Sequence, residues 1–86
     1  MYSVNLSKRA EKSLLGLSDK DQKRVTEALL SIQEHPFTGK KLEGVHKGLW
    51  SFRVWPYRII YMIEKKIVTV TVVAIGDRKD VYKKLK

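Results

Sequence analysis

Two arginines, Arg53 and Arg58, stand in consecutive strand-like segments that only the Trp55-Pro56 pair separates. Strand alternation turns both arginines away from the more apolar side, so we expect them to share one face of two adjacent strands. A mid-strand arginine is costly unless it reaches water, a carboxylate or a ligand. Since a planar guanidinium binds two phosphate oxygens and keeps its charge, this pair could stabilise the negative charge that grows on a phosphodiester during its cleavage.

Metal-free cleavage of a phosphodiester also needs a group that deprotonates the nucleophile and a donor that protonates the leaving 5′-oxygen. The C-terminal segment contains Arg78 and Tyr82, which we expect to fold toward the two strand arginines. Tyr82 could stack on a splayed base, carry a proton, or do both. Because only RNA brings its own 2′-hydroxyl as a nucleophile, RNA would be the substrate.

The same residues also have purely structural interpretations. The two strand arginines could form ordinary salt bridges with Glu43 or Glu64, and Arg78 could pair with the aspartates beside it. Tyr82 could anchor the C-terminal tail through its ring. These alternatives stay open at the level of the sequence.

The charge of the chain is unevenly distributed. Its 86 residues include 18 Lys+Arg and 9 Asp+Glu, for a net charge of +9. Residues 1–39 carry six basic and five acidic side chains, whereas residues 40–86 carry twelve basic and four acidic ones. A one-sided positive field attracts polyanions, of which nucleic acid is the commonest in cytoplasm. Nucleic-acid binding is therefore favoured over a lysine surface kept for solubility.

Several function classes are excluded or disfavoured by composition. The chain has no cysteine, which rules out disulfides, thiolate metal sites and cysteine nucleophiles. The two histidines, at positions 35 and 46, do not make a metal site, and no cofactor is expected. No apolar run approaches the roughly 20 residues of a membrane span, and no secretory signal is recognised. We expect one cytoplasmic domain over residues 1–86.

The hydrophobic pattern predicts an α+β domain. An N-terminal strand and an antiparallel two-helix hairpin precede three antiparallel strands, so that a four-stranded twisted sheet carries the helices on one face. Ser7 and Ser18 are expected to cap the helices, Gly16 to end the first in a left-handed conformation, and Gly76 to end the last strand. The predicted segments are a strand over 1–6, helices over 7–16 and 18–35, an irregular basic loop over 37–48, strands Trp50–Val54, Tyr57–Ile63 and Ile67–Ile75, and a basic tail over 77–86.

Alternation also predicts which strand residues face the helices. In the first two of the three strands, the more apolar sets begin at Trp50 and at Tyr57. In the last strand, the more apolar set is Val68, Val70, Val72 and Ala74, and the opposite set is Thr69, Thr71, Val73 and Ile75. The more apolar set of each strand is expected to pack on the helices. The helices are expected to contribute two apolar stripes to this core. These stripes are Leu6, Ala10, Leu14 and Leu17, and Val25, Ala28, Leu29 and Ile32.

The whole chain resembles the RelE/ParE superfamily of small toxins from bacterial and archaeal toxin–antitoxin pairs. The segment joining the two middle strands and the Arg-Lys-Asp-Val-Tyr tail are the most specific parts. The resemblance rests on Val4-Asn5-Leu6-Ser7-Lys8-Arg9-Ala10-Glu11-Lys12, Gly39-Lys40-Lys41-Leu42, Leu49-Trp50-Ser51-Phe52-Arg53-Val54, Tyr57-Arg58-Ile59-Ile60-Tyr61 and Ile75-Gly76-Asp77-Arg78-Lys79-Asp80-Val81-Tyr82.

The resemblance implies a specific reaction. RelE-like toxins enter the ribosomal A site and cleave mRNA by 2′-hydroxyl attack without metal, and a small acidic antitoxin neutralises them. By position, Arg53 matches a residue that stabilises the transition state, Arg58 one that holds the scissile phosphate, Arg78 one that assists the leaving group, and Tyr82 the aromatic that stacks on mRNA. The residues that the resemblance places against RNA are Lys40, Lys41, Lys47, Ser51, Lys79 and Lys83.

Two positions depart from the family pattern. Ser51 stands where many relatives have a second Lys or Arg, and Asp77 stands where many have His before the arginine. Two alternatives to the nuclease therefore remain. The chain could be a ParE-like inhibitor of DNA gyrase, which needs no catalytic residues, or a catalytically weak relative that binds ribosomes or RNA.

Overall fold

The computed structural model describes residues 1–77, 79–83 and 85 of the chain. Three short 3-10 turns lie in the connections, at Pro36–Thr38, Gly44–His46 and Lys65–Ile67. Within the described residues, no helix has the length and apolar character needed to cross a membrane. In chain order the helices and strands are β1 (Ser3–Leu6), α1 (Lys8–Leu15), α2 (Asp19–Glu34), β2 (Lys40–Lys41), β3 (Trp50–Val54), β4 (Tyr57–Glu64), β5 (Thr69–Asp77) and α3 (Asp80–Lys83).

The strands form one mixed sheet in the order β1-β5-β4-β3-β2. β1 pairs with β5 in parallel, and the other neighbours are antiparallel. The predicted α+β class is confirmed, but the sheet has five strands instead of four. The additional strand is β2, which lies inside the segment predicted to be an irregular loop. Its two residues pair with Ser51 and Trp50 and so cover part of the edge of β3.

Both long helices begin where the sequence predicts. The hydroxyls of Ser7 and Ser18 accept hydrogen bonds from the backbone N–H groups of Ala10 and Asp21. The predicted stripe of α2 is buried and forms much of the core against the sheet: Val25, Ala28, Leu29 and Ile32. Gly16 does end α1, but the expected left-handed conformation is wrong, because its φ is −80°. Leu6 belongs to β1 rather than to the helical stripe.

A β-bulge in β5 reverses the predicted facing of its last residues. Tyr61 pairs with Val72 while the preceding Ile60 pairs with Ala74, so Val73 is the extra residue. Val72 and Ile75 therefore both lie in the core beneath α1 and α2, whereas Ala74 faces the other side. The prediction for Ala74 and Ile75 was wrong because uninterrupted alternation cannot anticipate an inserted residue. β5 also continues through Gly76, which was expected to end it.

The second face of the sheet is covered by the C-terminal helix. Val81 of α3 is buried against Ile60 and Ala74. Tyr82 and Leu42 are partly buried around this second, smaller cluster. The predicted helical hairpin, α1 and α2, thus lies on one face, whereas α3 belongs to the tail that the sequence predicts to fold toward the arginines on the other face. The arginine-bearing face of the sheet has an apolar patch of its own, onto which α3 packs.

Tyr61 fixes the chain that follows α2 onto the sheet. Its side chain is fully buried, and its hydroxyl donates a hydrogen bond to the carbonyl oxygen of Pro36 at 2.7 Å. Burial raises the pKa of this hydroxyl. Gly39 passes so close that a Cβ at this position would overlap the Tyr61 hydroxyl and lie 3.0 Å from the carbonyl oxygen of Ser51. Only glycine allows this approach, which leads directly into Lys40 of β2.

Substitution of this glycine tests the close approach. We expect Gly39→Ala to lower the free energy of unfolding by about 1–3 kcal/mol, because the buried Tyr61 ring and the β3 backbone have little room to yield. Urea denaturation followed by circular dichroism measures the change.

The matched control is Gly16→Ala. A Cβ there would have its nearest neighbours at 3.5 and 3.6 Å, which is ordinary contact, and the backbone is already right-handed. We expect this variant to be as stable as the wild type or slightly more stable. Equal losses in the two variants would contradict the close approach of Gly39 to Tyr61.

Candidate RNA-cleavage site

Arg53 and Arg58 are directly paired across β3 and β4. They project from the face of the sheet opposite α1 and α2, as alternation predicts. No carboxylate of the described residues forms an ion pair with either guanidinium, so the structural interpretation with Glu43 or Glu64 is not what the fold adopts. Glu64 instead accepts a hydrogen bond from the hydroxyl of Thr71 at 2.9 Å. Like charges that face each other across a strand pair repel, and this pair has no acidic partner in the described part of the chain.

The two arginines line a cavity of about 330 Å³. We call it the arginine cavity; its walls are Lys40, Ser51, Phe52, Arg53, Arg58 and the Thr38–Gly39 segment. Two buried polar atoms here, Oγ of Ser51 and Nε of Arg58, have no hydrogen-bond partner among the described residues. An unpartnered buried donor costs roughly 1–3 kcal/mol. The arginine cavity therefore combines positive charge with buried polar groups that lack a partner among the described residues, an environment that favours an oxyanion.

The pairing of β2 with β3 places the two lysines of β2 on opposite faces of the sheet. Lys40 is opposite Ser51 and lines the arginine cavity, whereas Lys41 is opposite Trp50 on the other face. The Lys41 ammonium lies 5.9 Å from the centre of the Trp50 ring. Lys47 is exposed after the second 3-10 turn and does not line the cavity. Of the three loop lysines that the sequence assigned to RNA, only Lys40 joins the two arginines.

The described residues of the tail do not line the arginine cavity. Tyr82 is half-buried, and its ring centre is 5.5 Å from that of His46. The two rings help to line a separate concavity of about 470 Å³, together with Val45, Lys83 and Leu85. The sheet face that carries Arg58 also carries the apolar patch under α3, so Tyr82 shares that face but lies in a separate concavity. Sequence reasoning placed His46 in a loop and missed its contact with the tail tyrosine.

The remaining tail residues are placed as follows. Lys79 lines a shallow concavity together with Pro56, Asp77 and Asp80. The Lys83 ammonium lies 4.0 Å from a carboxylate oxygen of Asp80, so part of its charge is balanced within α3. Arg78 lies outside the described residues.

A network between α2 and the β3–β4 turn was not predicted from the sequence. The Arg24 guanidinium donates to the carbonyl oxygen of Trp55 at 2.6 Å and lies 3.6 Å from a carboxylate oxygen of Asp21. The Tyr57 hydroxyl donates to Asp21 at 2.7 Å, and this hydrogen bond raises the pKa of Tyr57. The Arg53 guanidinium lies over the Trp55 ring, 5.4 Å from its centre. The i,i+3 spacing of Asp21 and Arg24 was visible in the sequence, but the hydrogen bond from Arg24 to the Trp55 carbonyl, 31 residues later, was not.

Comparison with known proteins identifies the family. Residues 4–82 match the family model described as ParE toxin of the type II toxin–antitoxin system parDE. No curated protein sequence matches the chain.

Solved structures agree with this assignment. The chain is similar to a component of the RelBE2 toxin–antitoxin complex of Mycobacterium tuberculosis, with 26% identity and a TM-score of 0.83 over 90% of this chain and 98% of the other. It is similar at 26% identity to a component of the archaeal RelE–RelB complex of Pyrococcus horikoshii, with a TM-score of 0.77 over 90% of this chain and 94% of the other.

The isolated RelE toxin of E. coli shares 23% identity with this chain and has a TM-score of 0.80, with 99% of this chain and 95% of that chain covered. This likeness extends the agreement of folds to nearly the full length. The match over residues 4–82 decides the family. The chain belongs to the ParE toxin family of type II toxin–antitoxin systems, within the RelE/ParE superfamily, and has the fold of RelE toxins.

Proposed function

We propose that this toxin is an endoribonuclease that cleaves mRNA in the ribosomal A site by metal-independent attack of a 2′-hydroxyl. The observation that carries the proposal is the arginine cavity, in which two directly paired guanidiniums have no carboxylate partner among the described residues. A structural ion pair would have supplied such a partner. An unbalanced positive pair beside unpartnered buried donors is instead suited to a phosphodiester.

The proposed reaction is an internal phosphoryl transfer. The ribose 2′-oxygen forms a bond to phosphorus while the bond from phosphorus to the 5′-oxygen breaks. The proton of the 2′-hydroxyl passes to a base, and the leaving 5′-oxygen receives a proton from an acid. The products are a 2′,3′-cyclic phosphate and a 5′-hydroxyl. Arg58 would hold the scissile phosphate, and Arg53 would stabilise the additional negative charge of the transition state.

Lys40 offers a third cation to the same phosphate. Residues paired across antiparallel strands have Cβ atoms roughly 4.5–5.5 Å apart, and Lys40 is paired with Ser51. Many relatives carry a cation at the position of Ser51, and here Lys40 could supply that charge from the neighbouring strand. The Ser51 hydroxyl adds a neutral donor in the arginine cavity.

Residues of the tail would supply the remaining groups that the reaction needs. Arg78 would assist the leaving group, and Tyr82 would stack on the mRNA and take part in proton transfer. Since Tyr82 lies in a separate concavity beside His46, RNA would have to span both concavities. Lys41, Lys47, Lys79 and Lys83 would contact RNA backbone, and their exposure suits that role. A small acidic antitoxin would neutralise the toxin, and both would act in the cytoplasm.

A second candidate is inhibition of DNA gyrase. It is favoured by the description of the matching family as ParE toxins. Fold cannot separate the two candidates, because one fold carries both activities in this superfamily. The readouts differ: a gyrase inhibitor blocks supercoiling and leaves mRNA intact.

Cleavage by programmed ribosomes tests the proposal directly. We expect the wild-type chain to cut mRNA within the A-site codon, and we expect Arg58→Ala to lower the rate by roughly 10²–10³-fold. Primer extension on the mRNA locates and quantifies the cuts.

The matched control is Lys23→Ala, which removes an exposed cation from α2 and should leave the rate unchanged. Circular dichroism checks that the variants are folded. Intact mRNA with blocked supercoiling would replace the proposal with the gyrase candidate. Tight ribosome binding without cleavage would identify a catalytically weak relative.

The role of Lys40 has its own test. We expect Lys40→Ala to reduce cleavage by about 10-fold or more, because one cation leaves the arginine cavity. Ser51→Lys in the Lys40→Ala background should restore part of the rate, since the new ammonium enters the same cavity from the paired position. Cleavage by Lys40→Ala at the wild-type rate would show that Lys40 does not serve the reaction.

Stability measurements test whether the arginine cavity is built for an anion. We expect the free energy of unfolding of Arg58→Met to be about 0.5–1 kcal/mol higher than that of the wild type. The substitution removes the repulsion between the two guanidiniums and the buried Nε–H donor that lacks a partner among the described residues. Sulfate should narrow this difference, since it binds the native wild-type site. Urea denaturation with and without sulfate measures both effects, and Lys23→Met controls for loss of charge. Destabilisation by Arg58→Met would indicate a structural arginine.

A further inference from the structure

Trp55 occupies an unusual place for a large apolar side chain. It lies in the tight turn between β3 and β4, and 53% of its surface is exposed. Turn positions favour small and polar residues, and an exposed indole forgoes the free energy of burial. Arg53, a wall of the arginine cavity, places its guanidinium over the Trp55 ring. The indole therefore lies against a side chain that lines the proposed phosphate site, although Trp55 does not itself line the arginine cavity.

The turn that carries Trp55 is held from the opposite side of the sheet. Arg24 of α2 donates to the Trp55 carbonyl oxygen at 2.6 Å and pairs with Asp21, which in turn accepts from Tyr57. The residues on both sides of Pro56 are thus tied to the same helix. An exposed side chain on an anchored backbone loses little conformational entropy when it binds a partner, particularly an aromatic with only two side-chain torsions.

We propose that Trp55, backed by Arg53, is a stacking platform for an unpaired nucleobase next to the phosphate in the arginine cavity. The proposal rests on the proposed function and names the substrate feature that it requires, a base free of pairing within a single strand. Every base presents a π-face, and stacking of a base on an aromatic side chain is tolerant of sequence. The guanidinium over the indole adds a cation to the same stack.

Charge favours a nucleic acid over a protein as the occupant. An exposed tryptophan beside an arginine also suits a protein interface. Here, however, the arginine cavity that Arg53 shares with Arg58 and Lys40 has no acidic partner for these cations among the described residues. The second half of the chain also carries most of the net charge of +9. A nucleotide can stack its base on the indole and place its phosphate against the cations at the same time.

Fluorescence of Trp55 tests the platform. The chain has two tryptophans, so in a Trp50→Phe background Trp55 is the sole indole. The probe is a hexanucleotide of 2′-O-methyladenosine, which cannot be cleaved by 2′-hydroxyl attack. We expect it to quench Trp55 on binding, and a matched hexanucleotide with abasic positions to quench far less. Circular dichroism checks the fold of the background variant.

Affinity provides the second readout, by anisotropy of the labelled hexanucleotide with the otherwise wild-type chain. We expect Trp55→Ala to bind roughly five- to 150-fold more weakly, and Trp55→Tyr to keep most of the affinity. The abasic hexanucleotide should bind both variants and the wild type alike. Lys23→Ala again serves as the control.

The outcomes separate this inference from the proposed function. Cleavage with no quenching, or with equal quenching by the abasic probe, overturns the platform and leaves the nuclease intact. Quenching by the hexanucleotide without cleavage on ribosomes supports the platform and removes the nuclease. The platform is overturned if the hexanucleotide does not bind. It is also overturned if Trp55→Ala loses binding to a protein partner but keeps its affinity for RNA.

Discussion

Two positive charges face each other across β3 and β4, and the described residues provide no carboxylate between them. Within a sheet this arrangement costs stability, since the charges repel and Nε of Arg58 is buried without a hydrogen-bond partner among the described residues. An unfavourable arrangement of this kind is retained where the rest of the structure is stable enough to hold it in place. It is common at sites that bind or transform ligands. An oxyanion in the arginine cavity would turn the repulsion into attraction. The proposed function depends on this one interaction.

The rest of the fold holds this face in place. On one side of the sheet, α1 and α2 bury the large core, while Arg24 and Asp21 tie α2 to the β3–β4 turn. On the other side, α3 packs on the small apolar patch around Ile60, and none of its residues lines the arginine cavity. The Tyr61 hydroxyl and the close passage of Gly39 guide the chain into β2. Lys40 thereby reaches the cavity from a strand of only two residues.

Much of this arrangement follows from local patterns in the sequence. Serine caps, the apolar stripe of α2 and short turns predict the elements, and alternation predicts that Arg53 and Arg58 share a face. These signals depend on neighbours within a few residues. The bulge at Val73 was missed, because an inserted residue leaves no mark in a run of β-branched residues. β2 was missed because a two-residue strand is defined by its partner rather than by its own pattern.

The candidate site shows the same division. The sequence indicates which basic residues are candidates for the site, but it does not show which of them lie together in the fold. Register decides that Lys40 joins the arginines and Lys41 does not, and packing of α3 decides that Tyr82 lies beside His46. The contact between Arg24 and the turn spans 31 residues, beyond the reach of periodicity.

The most direct test of the central claim follows the Nε–H group of Arg58 by nuclear magnetic resonance. The spectrum of the arginine Nε–H groups is recorded while a short, non-cleavable oligoribonucleotide is added, and Arg58→Lys assigns the signal. If the arginine cavity binds the RNA phosphate, the Arg58 signal shifts downfield and its exchange with water slows, while the signal of Arg24 stays in place. An Arg58 signal that does not move while the RNA is bound would contradict the account.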